Sequence, residues 1–146
     1  MSRMTCAVPL VLVSLAAGCT DRGETEAQMV VEHVQALDPY AEREDRRRLV
    51  EQLEGMDLET QDVAEVRDGC VDAHRRLLAA EDLQQEAKKS LDGVEDAKNG
   101  GELTDVQAED IAESIQRSNE ALVEASARLP KCQERVAKLG SKYEVD

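Results

Sequence analysis

Residues 63–94 read VAEVRDGCVDAHRRLLAAEDLQQEAKKSLDGV, and residues 108–139 read AEDIAESIQRSNEALVEASARLPKCQERVAKL. In both stretches, small or apolar residues recur at alternating steps of three and four residues. This period is typical of helices that pack side by side as a coiled coil. The repeating positions are Val63, Val66, Cys70, Ala73, Leu77, Ala80, Gln84, Ala87, Leu91 and Val94 in the first stretch, and Ala108, Ile111, Ile115, Ser118, Leu122, Ala125, Leu129, Cys132, Val136 and Leu139 in the second.

The residues between the two stretches include Asn99-Gly100-Gly101, which indicates a turn. Folding the chain back at Gly101 places Cys70 opposite Cys132 and Gln84 opposite Ser118. The sequence therefore predicts an antiparallel helical hairpin over residues 58–139, with arms about 55 Å long at about 1.5 Å per residue. Gln84 and Ser118 are expected to form a polar layer in the core, which would penalise slipped registers.

Cys70 and Cys132 are predicted to form a disulfide across the hairpin. The other two cysteines, Cys6 and Cys19, lie in an N-terminal segment that predicts export and a lipid on Cys19, as described below, so an even pair of thiols remains in an oxidising compartment. A metal site is an alternative, since His74 lies one turn after Cys70 and His33 could supply a fourth ligand. Free or redox-active thiols are a further alternative. The spacing matches no standard zinc module, so no metal or other cofactor is assigned.

A second apolar stripe on each arm predicts further helices packed near the disulfide. The stripe residues are Ala64, Val71 and Leu78 on the first arm and Val123, Pro130 and Ala137 on the second. Two N-terminal helices are available to cover them, one over about 24–37 and one that starts at Asp38-Pro39 and runs to about Glu54. Gly55 is expected to end the second of these helices, Asp57 to cap the next, and Gly140 to stop the last.

The predicted fold is therefore all-α, with a base of three or four helices and a narrow two-helix extension over residues 84–118, which we call the prong. Almost no aromatic residues are available for a thick core, since the chain has no Phe or Trp and only two Tyr. The net charge of −14 disfavours binding to the phosphates of nucleic acids.

The first residues predict export. Residues 7–17 form an apolar run that suits a signal peptide and is shorter than the roughly 20 residues of a membrane-spanning helix. The run ends in Leu15-Ala16-Ala17-Gly18-Cys19, which resembles the lipobox of bacterial lipoproteins. The resemblance implies cleavage after residue 18 and a lipid on Cys19, which would attach the protein to a membrane of the cell envelope. It also favours the outer membrane, facing the periplasm or the cell surface, because Thr20 is not aspartate.

After the signal peptide (1–18), the expected organisation is an anchor and tether over 19–26 and a helical bundle over 27–146. The prong carries many acidic residues and is a candidate surface for a basic partner or for cations. The simpler interpretation is a solvated helix face. The residues assigned to the surface are Glu95, Asp96, Glu102, Asp105 and Glu109.

Leu103-Thr104-Asp105-Val106-Gln107 matches the LTxxQ motif of the Spy-type periplasmic chaperones, and this resemblance implies binding of unfolded clients or envelope signalling. A helix-capping box between Thr104 and Gln107 explains the same residues without kinship.

No arrangement of residues typical of catalysis is recognisable, so the expected function is not enzymatic. The leading expectation is a lipid-anchored envelope scaffold or adaptor that binds a protein partner through helix surfaces. The alternatives are a chaperone or a stress or ion sensor, and an inhibitor or immunity lipoprotein. The sequence leaves the oligomeric state open.

Overall fold

The computed structural model describes residues 21–97 and 104–145, and this part of the chain is built from four helices. They are α1 (Arg22–Gln35), α2 (Arg43–Glu54), α3 (Gln61–Ala97) and α4 (Asp105–Tyr143). The all-α fold predicted from the sequence is confirmed. The turn expected at Asn99-Gly100-Gly101 lies outside the described residues.

The N-terminal helix α1 starts at Arg22, earlier than expected, so residues 22–26 belong to a helix and not to a tether. Asp21 explains the earlier start, because its carboxylate accepts a hydrogen bond from the Gly23 amide at 3.3 Å and caps the helix. The buried side of α1 carries Ala27, Val30, Val31 and Val34.

The second helix starts later than expected, at Arg43, so the prediction that Asp38-Pro39 begins it is wrong. Asp38 makes a turn instead, because its side chain accepts a hydrogen bond from the Tyr40 amide at 2.8 Å and its carbonyl accepts one from the Ala41 amide. The helix ends at Gly55, as predicted.

The long helices α3 and α4 differ from the prediction at their base ends only. Helix α3 starts at Gln61, after the expected cap at Asp57. Gly140 does not stop α4, which runs on to Tyr143. A Cβ atom at Gly140 would lie 2.9 Å from the Val145 carbonyl oxygen, so the glycine makes room for the C-terminal residues to fold back.

The predicted hairpin and disulfide are confirmed. Cys70 and Cys132 are joined, with their Cα atoms 4.9 Å apart, and both residues are buried. Ion pairs between Arg76 and Glu124 and between Asp62 and Lys142 fix the same antiparallel register. Helices α1 and α2 cover one side of the hairpin near the disulfide, so the base has four helices, where the sequence predicted three or four.

Along the hairpin, one set of repeating positions stays buried and the other does not. Ala73, Ala80 and Ala87 of α3 and Ser118, Ala125 and Cys132 of α4 are buried, and we call these six residues the inner seam; Val66 and Ile111, at the same heptad positions, are half-buried. The other positions, the outer seam, are buried at Leu77 and Val136 in the base but exposed at Leu91 and Ile115 in the prong. Burial of the outer seam therefore depends on cover from α1 and α2.

This division contradicts the predicted polar layer. Gln84 lies on the outer seam above the base and is exposed, whereas Ser118 lies on the inner seam and is buried. The Ser118 hydroxyl lies 3.5 Å from the Ala80 carbonyl oxygen, to which it donates. The Ala80 carbonyl oxygen, and not Gln84, therefore satisfies the serine hydroxyl. Gln84 stays exposed because a contact between two helices buries only the small residues along its centre.

Candidate interaction surfaces

The base end of the molecule brings the start of α1 together with the start of α3 and the end of α4. A Cβ atom at Gly23 would lie 2.8 Å from the Tyr143 ring, so α1 approaches α4 closely here. The Tyr143 hydroxyl donates to Asp62 at 3.0 Å, and the Lys142 ammonium group pairs with the same carboxylate at 2.6 Å. The described chain therefore begins, at Asp21, beside the base end of the hairpin.

Glu26 is a buried carboxylate that connects α1 to the segment before α3. It accepts hydrogen bonds from the backbone amides of Thr60 at 2.9 Å and Glu59 at 3.2 Å, and from the Arg22 guanidinium at 3.1 Å. The Thr60 amide is the main reason that the pKa of Glu26 falls to about 2, with the Glu59 amide and Arg22 adding to it. The ionised form of Glu26 thus holds the first helix in place.

The upper edge of the base is held by an ionic cluster between the start of α2 and α3. Arg46 is buried and donates to Glu81 at 2.5 Å and to the Ala41 carbonyl oxygen at 3.0 Å. Arg43 and Arg47 both pair with Asp82, at 2.9 and 3.2 Å. This cluster marks the height at which cover by α2 stops.

His74 lies buried on α3 next to this cluster. Burial lowers the pKa of His74, and the positive charge of Arg46 lowers it further, so the neutral form is favoured. A packing role for His74 agrees with this position. The alternative metal site does not, because Cys70 and Cys132 are joined to each other. Within residues 21–97 and 104–145, no group of three or more potential ligands is placed to hold a metal ion.

The side of the hairpin away from α1 and α2 is lined by ion pairs. Asp72 accepts from Arg128 at 2.6 Å, and Glu124 accepts from Arg76 at 2.8 Å. Two shallow clefts of about 370 and 380 Å³ lie along this side, separated by Arg135, which lies over Gly69. Because many of their charged groups already pair across the helices, the clefts are best explained as ordinary coiled-coil flanks.

The acidic prong residues singled out from the sequence are only partly described. Glu109 lies on α4 and is exposed. Glu102 lies outside the described residues, as do the side chains of Glu95, Asp96 and Asp105. The Thr104–Gln107 capping box is present, which accounts for Thr104 and Gln107 of the LTxxQ motif by local helix chemistry.

One face of the upper hairpin is both apolar and uncovered. Leu91 is 43% exposed, Ile115 37% and Val123 71%, while Leu122 is half-buried. Leu91 and Ile115 lie above α1 and α2 and continue the side that those two helices cover in the base, whereas Leu122 and Val123 lie on α4 no higher than the Arg46 cluster. We call this the uncovered face. The sequence analysis placed Leu91 and Ile115 in the hairpin core, and the structure leaves them at its edge.

The sequence analysis missed Glu26 and Arg46. Helical spacing could have identified both residues. Glu26 shares a side of α1 with Val30, four residues later, and Arg46 precedes Val50 and Leu53 by four and seven residues. A charged residue on an apolar stripe predicts a buried ion pair.

None of the helices in the described part of the chain is long and apolar enough to cross a membrane. Comparison with protein-family models, curated proteins and solved structures finds no match to this chain.

Proposed function

We propose that this chain is a lipid-anchored protein of the bacterial cell envelope that acts as a scaffold or adaptor through its helix surfaces. The lipobox-like Leu15–Cys19 segment supports the anchor. The protein would be attached at Cys19 and would bind other envelope components without chemical turnover.

The position of Asp21 is the observation that carries this proposal. Asp21 lies at the base end, and Cys19 precedes it by two residues, a reach of about 7 Å at most. A lipid at Cys19 would therefore hold the base against the membrane surface. The prong extends from the other end of the same hairpin, so it would point away from the membrane.

The contacts that stabilise the hairpin suit a rigid element that extends away from a membrane surface. The buried Cys70–Cys132 disulfide locks the two arms within the base, and the ionic cluster around Arg46 ties α2 to α3 where the prong begins. A rigid arm presents binding residues at a fixed height and loses little conformational entropy when a partner binds.

The anchor can be tested by intact mass measurement of the protein made in a bacterial host. The wild-type chain should begin at Cys19 and carry a diacylglyceryl group, and it should float with membranes. Cys19→Ser should abolish the lipid and the flotation. Cys6→Ser is the matched control, because Cys6 lies in the segment that cleavage removes, and this variant should be processed normally. An unmodified Cys19 in the exported wild-type chain would refute the anchor.

A further inference from the structure

The interface between α2 and α3 buries two basic side chains. Arg46 lies on α2 and His74 on α3, and each is only 5% exposed to solvent. Arg46 donates to Glu81 at 2.5 Å and to the Ala41 carbonyl oxygen at 3.0 Å, but its Nη1 atom is buried with no hydrogen-bond partner among the described residues. One carboxylate therefore balances one cation here, as long as His74 is uncharged.

The other charged groups of α2 that face α3 already have partners. Arg43 and Arg47 both pair with Asp82, at 2.9 and 3.2 Å. Glu54, at the end of α2, pairs with Arg75. None of these contacts leaves a carboxylate beside Arg46 that could receive a second positive charge.

The charged groups of α4 and α1 are engaged away from this interface. Arg128 and Glu124 of α4 pair with residues of α3 on the side of the hairpin away from α1 and α2. On α1, Glu26 is bound to the Thr60 amide at the base end, and the His33 ring lies beside the Met29 carbonyl oxygen. Burial and then the charge of Arg46 lower the pKa of His74.

We propose that His74 makes the attachment of α2 to α3 sensitive to acid, so that a proton on this histidine releases α2 from the hairpin. Release separates the two cations and lets water solvate both of them. It also uncovers Leu78 of α3 together with Val50 and Leu53 of α2, which are buried in the closed form. An apolar surface for a partner is then available in acid only. This inference does not depend on the lipid anchor.

The direction of the pH dependence follows from the two states of His74. In the open form the ring is solvated and takes up a proton near its ordinary pKa of 6.5, whereas the closed form keeps it neutral to lower pH. Above pH 6.5 the ring is neutral in both forms, so α2 stays attached. Below pH 6.5 the open form gains protons that the closed form does not, and opening becomes easier until the closed form is protonated as well.

Other contacts confine the change to α2. The Cys70–Cys132 disulfide keeps α3 and α4 joined. Glu26, whose pKa is about 2, is still ionised at pH 5.5 and holds α1 to the segment before α3. Helix α2 has only 12 residues and is attached through a short list of buried side chains, namely Arg46, Val50 and Leu53. It is therefore the element that a local loss of stability detaches first.

Amide hydrogen exchange of the intact protein, corrected for the intrinsic exchange rate at each pH, tests the release. The open fraction of the α2 amides should rise between pH 8 and 5.5 by up to about tenfold, the limit for a histidine that titrates at 6.5 in the open form and stays neutral in the closed form. The α2 amides should also be more open than those of α3 around Cys70 at every pH. No rise in α2 would overturn the proposal, and so would equal opening of α2 and α3, which indicates unfolding of the whole molecule.

His74→Gln removes the titrating ring, so the open fraction of its α2 amides should no longer change between pH 8 and 5.5. His33→Gln is the matched control, because His33 is the other of the two histidines in the chain and lies on α1. This variant should keep the wild-type rise. Each variant is compared with itself across the pH range, which removes any change in its overall stability. A rise that persists in His74→Gln, or that disappears in His33→Gln, would assign the acid response to another group and overturn the proposal.

Discussion

At the scale of single residues, two buried charges connect the short helices of the base to other elements. Glu26 accepts hydrogen bonds from two backbone amides of the segment before α3, and Arg46, near the start of α2, forms an ion pair with Glu81 of α3. Each replaces an apolar residue on the buried side of a short helix, and each finds partners on another element. These two side chains therefore fix where α1 and α2 sit on the hairpin.

The pKa of Glu26 predicts a specific dependence of stability on pH. Because the folded-state pKa falls to about 2 from an ordinary value of 4.5, the ionised carboxylate stabilises the fold fully above pH 4.5. That contribution is lost progressively as the pH falls from 4.5 towards 2. Urea unfolding at a series of pH values should show that Glu26→Gln lowers the stability at pH 7 and flattens this part of the profile.

Glu51→Gln is the control for this series, since Glu51 is exposed on α2. It should leave both the stability at pH 7 and the slope between pH 4.5 and 2 close to those of the wild-type protein. A Glu26→Gln profile as steep as that of the wild type would show that another group carries the acid sensitivity.

At the scale of elements, the division of the hairpin into inner and outer seams explains where large side chains are tolerated. Ala80, Ala87 and Ser118 lie on the buried centre line of the two-helix contact, and their small size lets the backbones approach. Gln84 and Leu91 lie to one side of that line and are exposed. Neighbouring positions of one heptad pattern should therefore respond very differently to enlargement.

Leucine substitutions at Ala87 and Gln84 test this difference. Ala87→Leu should lower the free energy of unfolding by about 1–3 kcal/mol, because the new side chain forces the helices apart. Gln84→Leu should change it by only about 0.5 kcal/mol, because the side chain stays at the surface. Chemical denaturation of both variants gives the comparison. Similar losses at the two positions would show that both seams are packed, as the sequence alone suggested.

Much of this fold can be predicted from the sequence, because the hairpin depends on a long regular period. The helical period and the Thr104–Gln107 cap are patterns within short stretches of sequence. The pairing of the two cysteines follows once the chain is folded back at Gly101. The prediction of a polar layer was wrong because a heptad pattern does not show how many helices surround each position, and therefore does not show which positions are buried. The predicted start of α2 was wrong because an aspartate such as Asp38 can stabilise a turn as well as cap a helix.

At the scale of the whole molecule, the disulfide and the covering helices act on the same region. The bond joins Cys70 and Cys132, which are 62 residues apart in the sequence, and the segment between them includes the entire prong. Helices α1 and α2 pack over the hairpin at this level. The base is therefore the stable part, and the prong depends on it for the alignment of its two arms.

Removal of the disulfide should weaken the whole molecule. The double variant Cys70→Ala, Cys132→Ala should lose about 4 kcal/mol of unfolding free energy on the chain-entropy estimate for a loop of this length. Thermal and urea unfolding of the variant, and of the wild-type protein under reducing conditions, measure this loss. Unchanged stability after complete reduction would show that helix packing alone aligns the arms.

The orientation proposed for the anchored molecule can be measured by the distance of labels from a membrane. In the lipid-bearing protein on vesicles, a fluorophore at Glu59→Cys in the base and one at Asp92→Cys in the prong differ in height by nearly 50 Å at about 1.5 Å per residue. A short-range quencher in the lipid headgroups should quench the label at position 59 strongly and leave the label at position 92 unquenched. Equal quenching at the two positions, or stronger quenching at 92, would contradict a base that rests on the membrane and a prong that points away from it.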